Sequence, residues 1–139
     1  MKRNPLAVII SVAAGILLIS IMEYLSEKKY LPEGFDSNIQ AAHIEFPKTA
    51  PEAMFWFLII GYSLGSFLGG FIASAISAKQ KIKNALTTGS VLMGLGAINL
   101  FIMPHPIWVI ITSLLVYIPS ALIAGFIAKA LFAKKEKQK

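Results

Sequence analysis

The chain has no cysteine, only two histidines and few charged residues, which make up 14% of its 139 residues. The lack of cysteine excludes disulfides, thiolate metal sites and cysteine nucleophiles. A soluble domain carries about 25% charged residues and is apolar over about 45–50% of its length. Because 56% of this chain is hydrophobic, its composition fits neither a soluble globular domain nor a disordered segment.

Four apolar runs are long enough to cross a bilayer, which takes about 20 mostly apolar residues. They comprise residues 6–22, 54–76, 85–103 and 107–132. The sequence therefore predicts an all-α membrane protein, a single domain over residues 1–139 whose four transmembrane helices form a compact bundle. We interpret the first run as a retained span, because the residues that follow it offer no small-x-small signal-peptidase site. Asn4 and Pro5 are expected to cap its start.

The charges divide between the two ends of these runs. One side carries ten basic residues and a single acid, Glu136. The basic residues are Lys2, Arg3, Lys79, Lys81, Lys83, Lys129, Lys134, Lys135, Lys137 and Lys139. Since basic loops stay in the cytoplasm, we expect both termini to be cytoplasmic and the acidic loop of residues 24–49 to lie outside. This basic rim is expected to attract anionic lipids, and it explains the net charge of +6 without nucleic-acid binding.

The outer loop has its own local signals. Pro32 and Gly34 indicate a turn, and the segment 36–38 is expected to cap a short helix that runs through Glu45 and is ended by Pro47. The stretch 49–52, Thr-Ala-Pro-Glu, has the form of a capping box at the start of the second span.

Small residues recur at every fourth position of the second span. The row consists of Gly61, Gly65, Gly69, Ala73 and Ser77. Such a row lets another helix backbone approach closely, and Ser63, Ser66 and Ser74 add hydroxyls for hydrogen bonds between helices. Two interpretations stay open at this point. The row packs against another span of the same chain, or it packs against a second copy or a larger membrane-protein partner. The small-residue rows that offer a counter-surface in the same chain are Ala7, Ser11 and Gly15, and Ser120, Ala124 and Ala128.

Polar residues at membrane depth are candidates for function. An interhelical cluster in the outer half is predicted from Asn99, Tyr62, Thr112, Ser113 and Tyr117. Such a cluster serves either to hold helices together or to bind a transported solute.

Two further residues of the spans have alternative interpretations. Glu23, at the outer end of the first span, is interpreted as an interfacial carboxylate paired with Lys28 or Lys29, with a substrate or proton site as the alternative. Pro119 should kink the fourth span, and this kink is a candidate gate.

No constellation of catalytic residues is found. There is no Gly-x-Ser-x-Gly motif and no Ser/His/Asp arrangement, and His43, His105 and the loop acids lack metal-ligand spacing. The sequence therefore predicts no catalytic residue, metal or cofactor, and the chain is expected not to be an enzyme.

Two segments carry a resemblance to known proteins. They are GYSLGSFLGG at 61–70 and NLFIMPHPIW at 99–108, with YLPEG at 30–34 in addition. The chain resembles a group of small, uncharacterised four-span bacterial inner-membrane proteins with a glycine-rich second span and a Pro-His-Pro-x-Trp turn. This resemblance covers most of the chain. It implies a bacterial inner membrane and no particular chemistry.

Two functions are compatible with these features. The first is a non-enzymatic accessory or structural subunit, or a homo-oligomer, held together by the second span. The second is a small-solute or lipid transporter or channel subunit that uses the polar cluster and Pro119. A water-accessible cavity that reaches Asn99 and Tyr117 would favour transport, whereas burial of the small-residue row against another chain would favour assembly.

Overall fold

The computed structural model describes residues 5–36 and 38–136, which form five helices and no strand. The helices are α1 (Pro5–Tyr30), α2 (Gln40–Thr49), α3 (Glu52–Ile76), α4 (Lys81–Ile102) and α5 (Ile107–Glu136). All except α2 are long and apolar enough to cross a membrane. The predicted all-α bundle with four spans of membrane length is therefore confirmed. The expected cap at Asn4, the basic residues at 2, 3, 137 and 139, and Ser37 lie outside the described residues.

The helix directions follow from which residues meet. Along α1 and α3, Met22 lies against Gly61 and Ser11 lies against Gly69, so these helices are antiparallel. The Ser11 hydroxyl also hydrogen-bonds the Thr88 hydroxyl at 2.9 Å. Further along both helices Glu23 meets Asn99, so α1 and α4 run parallel. Within the described residues, α3 and α4 each touch the other three spanning helices, while α1 and α5 do not touch each other.

Helices α3 and α5 are parallel neighbours joined by a ladder of polar contacts. Ser66 Oγ donates to the Tyr117 carbonyl oxygen at 2.5 Å, and Ser74 Oγ donates to the Gly125 carbonyl oxygen at 2.9 Å. Midway between them, Gly70 faces the backbone of α5 so closely that a Cβ there would overlap it. The hydroxyls therefore satisfy their own hydrogen-bonding needs across a helix interface that admits no larger side chain.

The predicted small-residue row of α3 lies against α1 of the same chain. A Cβ at Gly65 would lie 2.8 Å from the Gly15 carbonyl oxygen, and a Cβ at Gly15 would lie 2.9 Å from the Gly65 carbonyl oxygen. The two backbones are thus in direct contact, and Ala73 is fully buried further along the row. Ser77 ends the row, where its carbonyl oxygen accepts a hydrogen bond from Lys81 Nζ at 2.7 Å. The row is filled within the chain and offers no free surface to a second chain.

Residues 24–52, which we expect to lie outside and call the outer segment, differ from the prediction at several points, and the N-cap of α2 is Ile39 and not a residue of 36–38. Helix α1 continues to Tyr30, so the region predicted as a loop from residue 24 begins with helix. Pro47 does not end the short outer helix, which runs on to Thr49. Proline removes only one backbone donor this close to a helix end, and Thr49 Oγ1 closes the last turn by donating to the Phe46 carbonyl oxygen at 3.2 Å.

The predicted capping box at residues 49–52 is also wrong. The N-cap of α3 is Pro51, and no side chain caps it. Thr49 cannot serve as the cap because it still belongs to α2, where its hydroxyl is already engaged. The extended backbone at Ala50 and Pro51 separates the two helices instead.

Substitution of a glycine on α3 tests the close contact with α1. We expect Gly65→Leu to lower the free energy of unfolding by about 1–3 kcal/mol or more, because a large side chain forces two touching backbones apart. The matched control is Gly94→Leu, since a Cβ at Gly94 meets nothing within 4 Å. Thermal unfolding in detergent, followed by circular dichroism, measures the difference. Equal melting of the two variants would contradict the contact.

Single cysteines test the orientation expected from the charges, and the cysteine-free chain makes them unambiguous. Asn38 and Lys79 are both exposed and lie at opposite ends of the bundle. On intact bacterial cells, a membrane-impermeant maleimide should label Asn38→Cys and leave Lys79→Cys unmodified until the membrane is permeabilised. The reverse pattern would overturn the expected topology.

Candidate binding cavity at the outer end of the bundle

Four polar side chains, one from each spanning helix, meet near the end of the bundle where α1 leads into α2. Glu23 comes from α1, Tyr62 from α3, Asn99 from α4 and Tyr117 from α5. The Tyr62 hydroxyl donates to Glu23 Oε1 at 3.2 Å, and Asn99 Nδ2 donates to the same oxygen at 3.1 Å. The Tyr62 ring stacks on the Tyr117 ring with centroids 5.7 Å apart. We call these four residues the outer polar cluster.

The tyrosine pair is the buried part of the outer polar cluster. Tyr62 and Tyr117 are 2% and 1% exposed. A Cβ at Gly96 of α4 would overlap the Tyr117 hydroxyl, so the missing side chain at Gly96 leaves the space that the tyrosine ring fills. Gly96 does not stand out in the sequence, because the role of this glycine depends on the register between α4 and α5.

The depth of the cluster follows from the neighbouring aromatic rings. Trp56 and Trp108 pack together with centroids 5.6 Å apart, as expected of residues at a membrane interface. Further along α3, Gly61 touches Met22, the neighbour of Glu23. Gly61 is five residues from Trp56 along α3, and Glu23 lies near the level of Gly61. At 1.5 Å per residue, Glu23 therefore lies roughly 7 Å further into the bundle than Trp56.

A cavity of about 220 Å³ opens beside the cluster. Glu23, Tyr62 and Asn99 form part of its wall, and a second carboxylate, Glu27, lies one helical turn further along α1. The outer segment covers it with rings and apolar side chains. These are Leu31, Phe35, Phe46, Pro47 and Ala50. The cavity thus combines a few polar groups with a mostly apolar lining, as ligand sites in proteins do.

His105 completes the wall at the turn between α4 and α5. Its Nδ1 lies 2.9 Å from the Met103 carbonyl oxygen, so this ring nitrogen is the donor, and its ring packs edge-on against Phe55. Among the described residues, no three His, Cys, Asp or Glu side chains come together as a metal site would require. The side chain of His43 lies outside the described residues.

The predicted ion pair of Glu23 with Lys28 or Lys29 is wrong. Lys28 Nζ lies 6.0 Å from the Tyr24 ring centroid, and Lys29 Nζ lies 5.2 Å from that of Tyr30. Because α1 continues as a helix beyond residue 22, both lysines are turned roughly 120–140° around the helix from Glu23. The carboxylate finds its hydrogen-bond donors on α3 and α4 instead.

The remaining predicted residues do not join the outer polar cluster by any described hydrogen bond. Ser113 is fully buried, and its hydroxyl has no partner among the described residues. Thr112 is half-buried, and Pro119 lies inside α5 on an exposed face. Beside it, the Ser120 hydroxyl hydrogen-bonds the Ser63 hydroxyl at 2.8 Å, which links α5 to α3.

Comparison with family models, with curated proteins and with solved structures gave no match. The interpretation of the cavity therefore depends on its own geometry.

Proposed function

We propose that this chain is a non-enzymatic, multi-pass protein of a bacterial inner membrane that binds a small solute in its outer cavity, as a transporter or as a channel or transporter subunit. The observation that carries this proposal is the cavity of about 220 Å³ whose wall includes Glu23, Tyr62 and Asn99. It reaches the membrane-embedded polar groups from the end of the bundle that we expect to face outward. Polar groups at membrane depth commonly mark substrate paths.

The size of the cavity favours a small solute over a whole lipid. Pockets for drug-sized ligands occupy about 300–1,000 Å³, and this cavity is smaller. Its wall offers a carboxylate, an amide and a phenol as fixed polar partners, while Leu58 and Met54 add apolar surface. These features suit a compact molecule with one polar end.

Beyond the cluster, neighbouring helices are in close contact at several points. The Gly70 backbone touches α5, and the Ser11 and Thr88 hydroxyls tie α1 to α4. A solute that enters the cavity therefore meets a barrier at the level of Tyr62 and Tyr117, as it would in a carrier that is open to one side. Passage to the other side requires a second conformation, for which the kink expected at Pro119 remains a candidate gate.

An accessory or structural subunit, or a homo-oligomer, is the other function that the sequence allows, and the structure supports it less. The small-residue row that favoured it is filled by α1 of the same chain. An assembly would have to use another face of the bundle.

The proposed location and partners rest on charge and resemblance. Lys79 and Lys83 are exposed at the end that also holds the start of α1 and the end of α5. We propose that this end is cytoplasmic and that anionic lipid headgroups gather there, since each lysine near the surface contributes about 1 kcal/mol to their attraction.

Filling the cavity tests the proposed function. Ala50 lines the cavity, and Ala53 is exposed at the start of α3. We expect a library of small cationic, neutral and anionic solutes to contain members that raise the melting temperature of the purified protein, because a ligand that binds only the folded state stabilises it. Ala50→Phe should abolish these shifts, and Ala53→Phe should keep them.

Two results would contradict the proposal. Either no solute of any charge class shifts the melting temperature, or Ala50→Phe binds the same solutes as the unmodified protein. Uptake of an identified solute into proteoliposomes then separates a transporter from a protein that only binds.

A further inference from the structure

We propose that the outer cavity takes an organic cation, specifically an alkylammonium group. This inference rests on the proposed function, since it names the class of ligand that the same cavity would bind. Three observations support it. The cavity wall has two carboxylates and no lysine or arginine, one oxygen of Glu23 accepts no described hydrogen bond, and aromatic rings line the cavity.

The cavity wall carries two carboxylates that have no cationic partner in the described part of the chain. Both hydrogen bonds to Glu23 reach Oε1, and no described hydrogen bond reaches Oε2. Glu27 stands one turn away on the same face of α1 and makes no described ion pair. The ion pair found among the described residues, Lys48 with Glu45, lies on the exposed surface of α2. Two like charges at this spacing repel each other, and a cation between them would relieve the repulsion.

No lysine or arginine contributes to the described lining of the cavity. The nearest candidates in sequence, Lys28 and Lys29, lie over the rings of Tyr24 and Tyr30. An anionic ligand would therefore meet two carboxylates and no lysine or arginine side chain. A cationic ligand would find the counter-charges already in place.

Aromatic rings form much of the remaining wall. Tyr62 and Phe55 contribute from α3, and Phe35 and Phe46 pack edge-to-face above them with centroids 5.6 Å apart. Ring faces attract cations, and quaternary ammonium groups are bound by cages of such rings. A carboxylate beside several rings favours a soft organic cation over a hydrated metal ion, which prefers several oxygen ligands.

Two kinds of molecule present an alkylammonium group at the outer face of a membrane. They are free amines and phosphatidylethanolamine, whose headgroup contains one. The cavity volume fits either a free amine or a single headgroup, so the experiment must separate these sources.

The most direct test uses two ligands that differ only in charge. Choline and 3,3-dimethylbutan-1-ol have the same shape, with a quaternary nitrogen in one and a carbon in the other. For the unmodified protein in lipid-free maltoside detergent, we expect choline to bind at least tenfold more tightly than the alcohol in isothermal titration. Equal binding, or tighter binding of the alcohol, would overturn the inference without requiring any variant.

Substitution of the two carboxylates tests whether they cause the preference for the cation. Glu23→Gln should remove at least a tenfold share of the choline affinity and leave that of the alcohol unchanged, whereas Glu33→Gln, in the exposed turn outside the cavity, should change neither. If Glu23→Gln does not fold, Glu27→Gln should show a smaller loss of the same sign. Choline binding that survives both cavity variants would overturn the assignment of the cation to these carboxylates.

The outcomes also separate this inference from the proposed function. If neutral or anionic solutes bind and are lost in Ala50→Phe, the binding cavity stands and its cation preference is wrong. If no solute binds at all, both fail. Competition of choline by short-chain phosphatidylethanolamine, but not by phosphatidylglycerol of equal chain length, would identify the headgroup as the source. Choline binding without such competition would identify a free amine.

Discussion

The close approach of α3 to its two neighbours is the constraint on which the bundle depends. On one side Gly65 touches the backbone of Gly15, and on the other Gly70 touches the backbone of α5. Lipid cannot supply a hydrophobic driving force between helices, so van der Waals contact and hydrogen bonds must hold them together. Helix α3 meets this requirement with glycines at the closest points and with serines, such as Ser66 and Ser74, that donate to α5 carbonyl oxygens.

This packing also determines where the bundle is open. The small residues of α3 lie mostly beyond Tyr62, and there α3 is in close contact with α1 at Gly65 and with α5 at Gly70. On the other side of Tyr62, side chains of α1, α3, α4 and the outer segment line the cavity. Glu23, Tyr62 and Asn99 stand at the boundary between the closed and open parts. The polar groups therefore join the helices and at the same time face a space that a ligand can fill.

The parts of this structure that could be predicted from the sequence are those that depend on local pattern. Hydropathy identified the four spans, and four-residue spacing identified a close-packing face. The register between helices does not depend on local pattern. For this reason the sequence left open which helix packs against that face, and it gave no sign that Gly96 makes room for Tyr117. The pairing of Glu23 was wrong because a carboxylate after an apolar run suggests that the helix ends there, whereas α1 continues to Tyr30. That continuation turns Lys28 and Lys29 away from Glu23, whose hydrogen-bond donors lie on α3 and α4 instead.

The most direct test of this account is whether water reaches Glu23 from the outer side. With no native cysteine, Glu23→Cys can be treated on intact cells with a membrane-impermeant methanethiosulfonate reagent, which attacks a thiolate and so requires water. The control is Ile98→Cys. Ile98 is adjacent to Asn99 in sequence, but it is exposed on the surface of the bundle. We expect rapid modification at position 23 and none at position 98. No modification at position 23 in the folded protein would show that the cavity is closed to the outer solution and would contradict a binding site there.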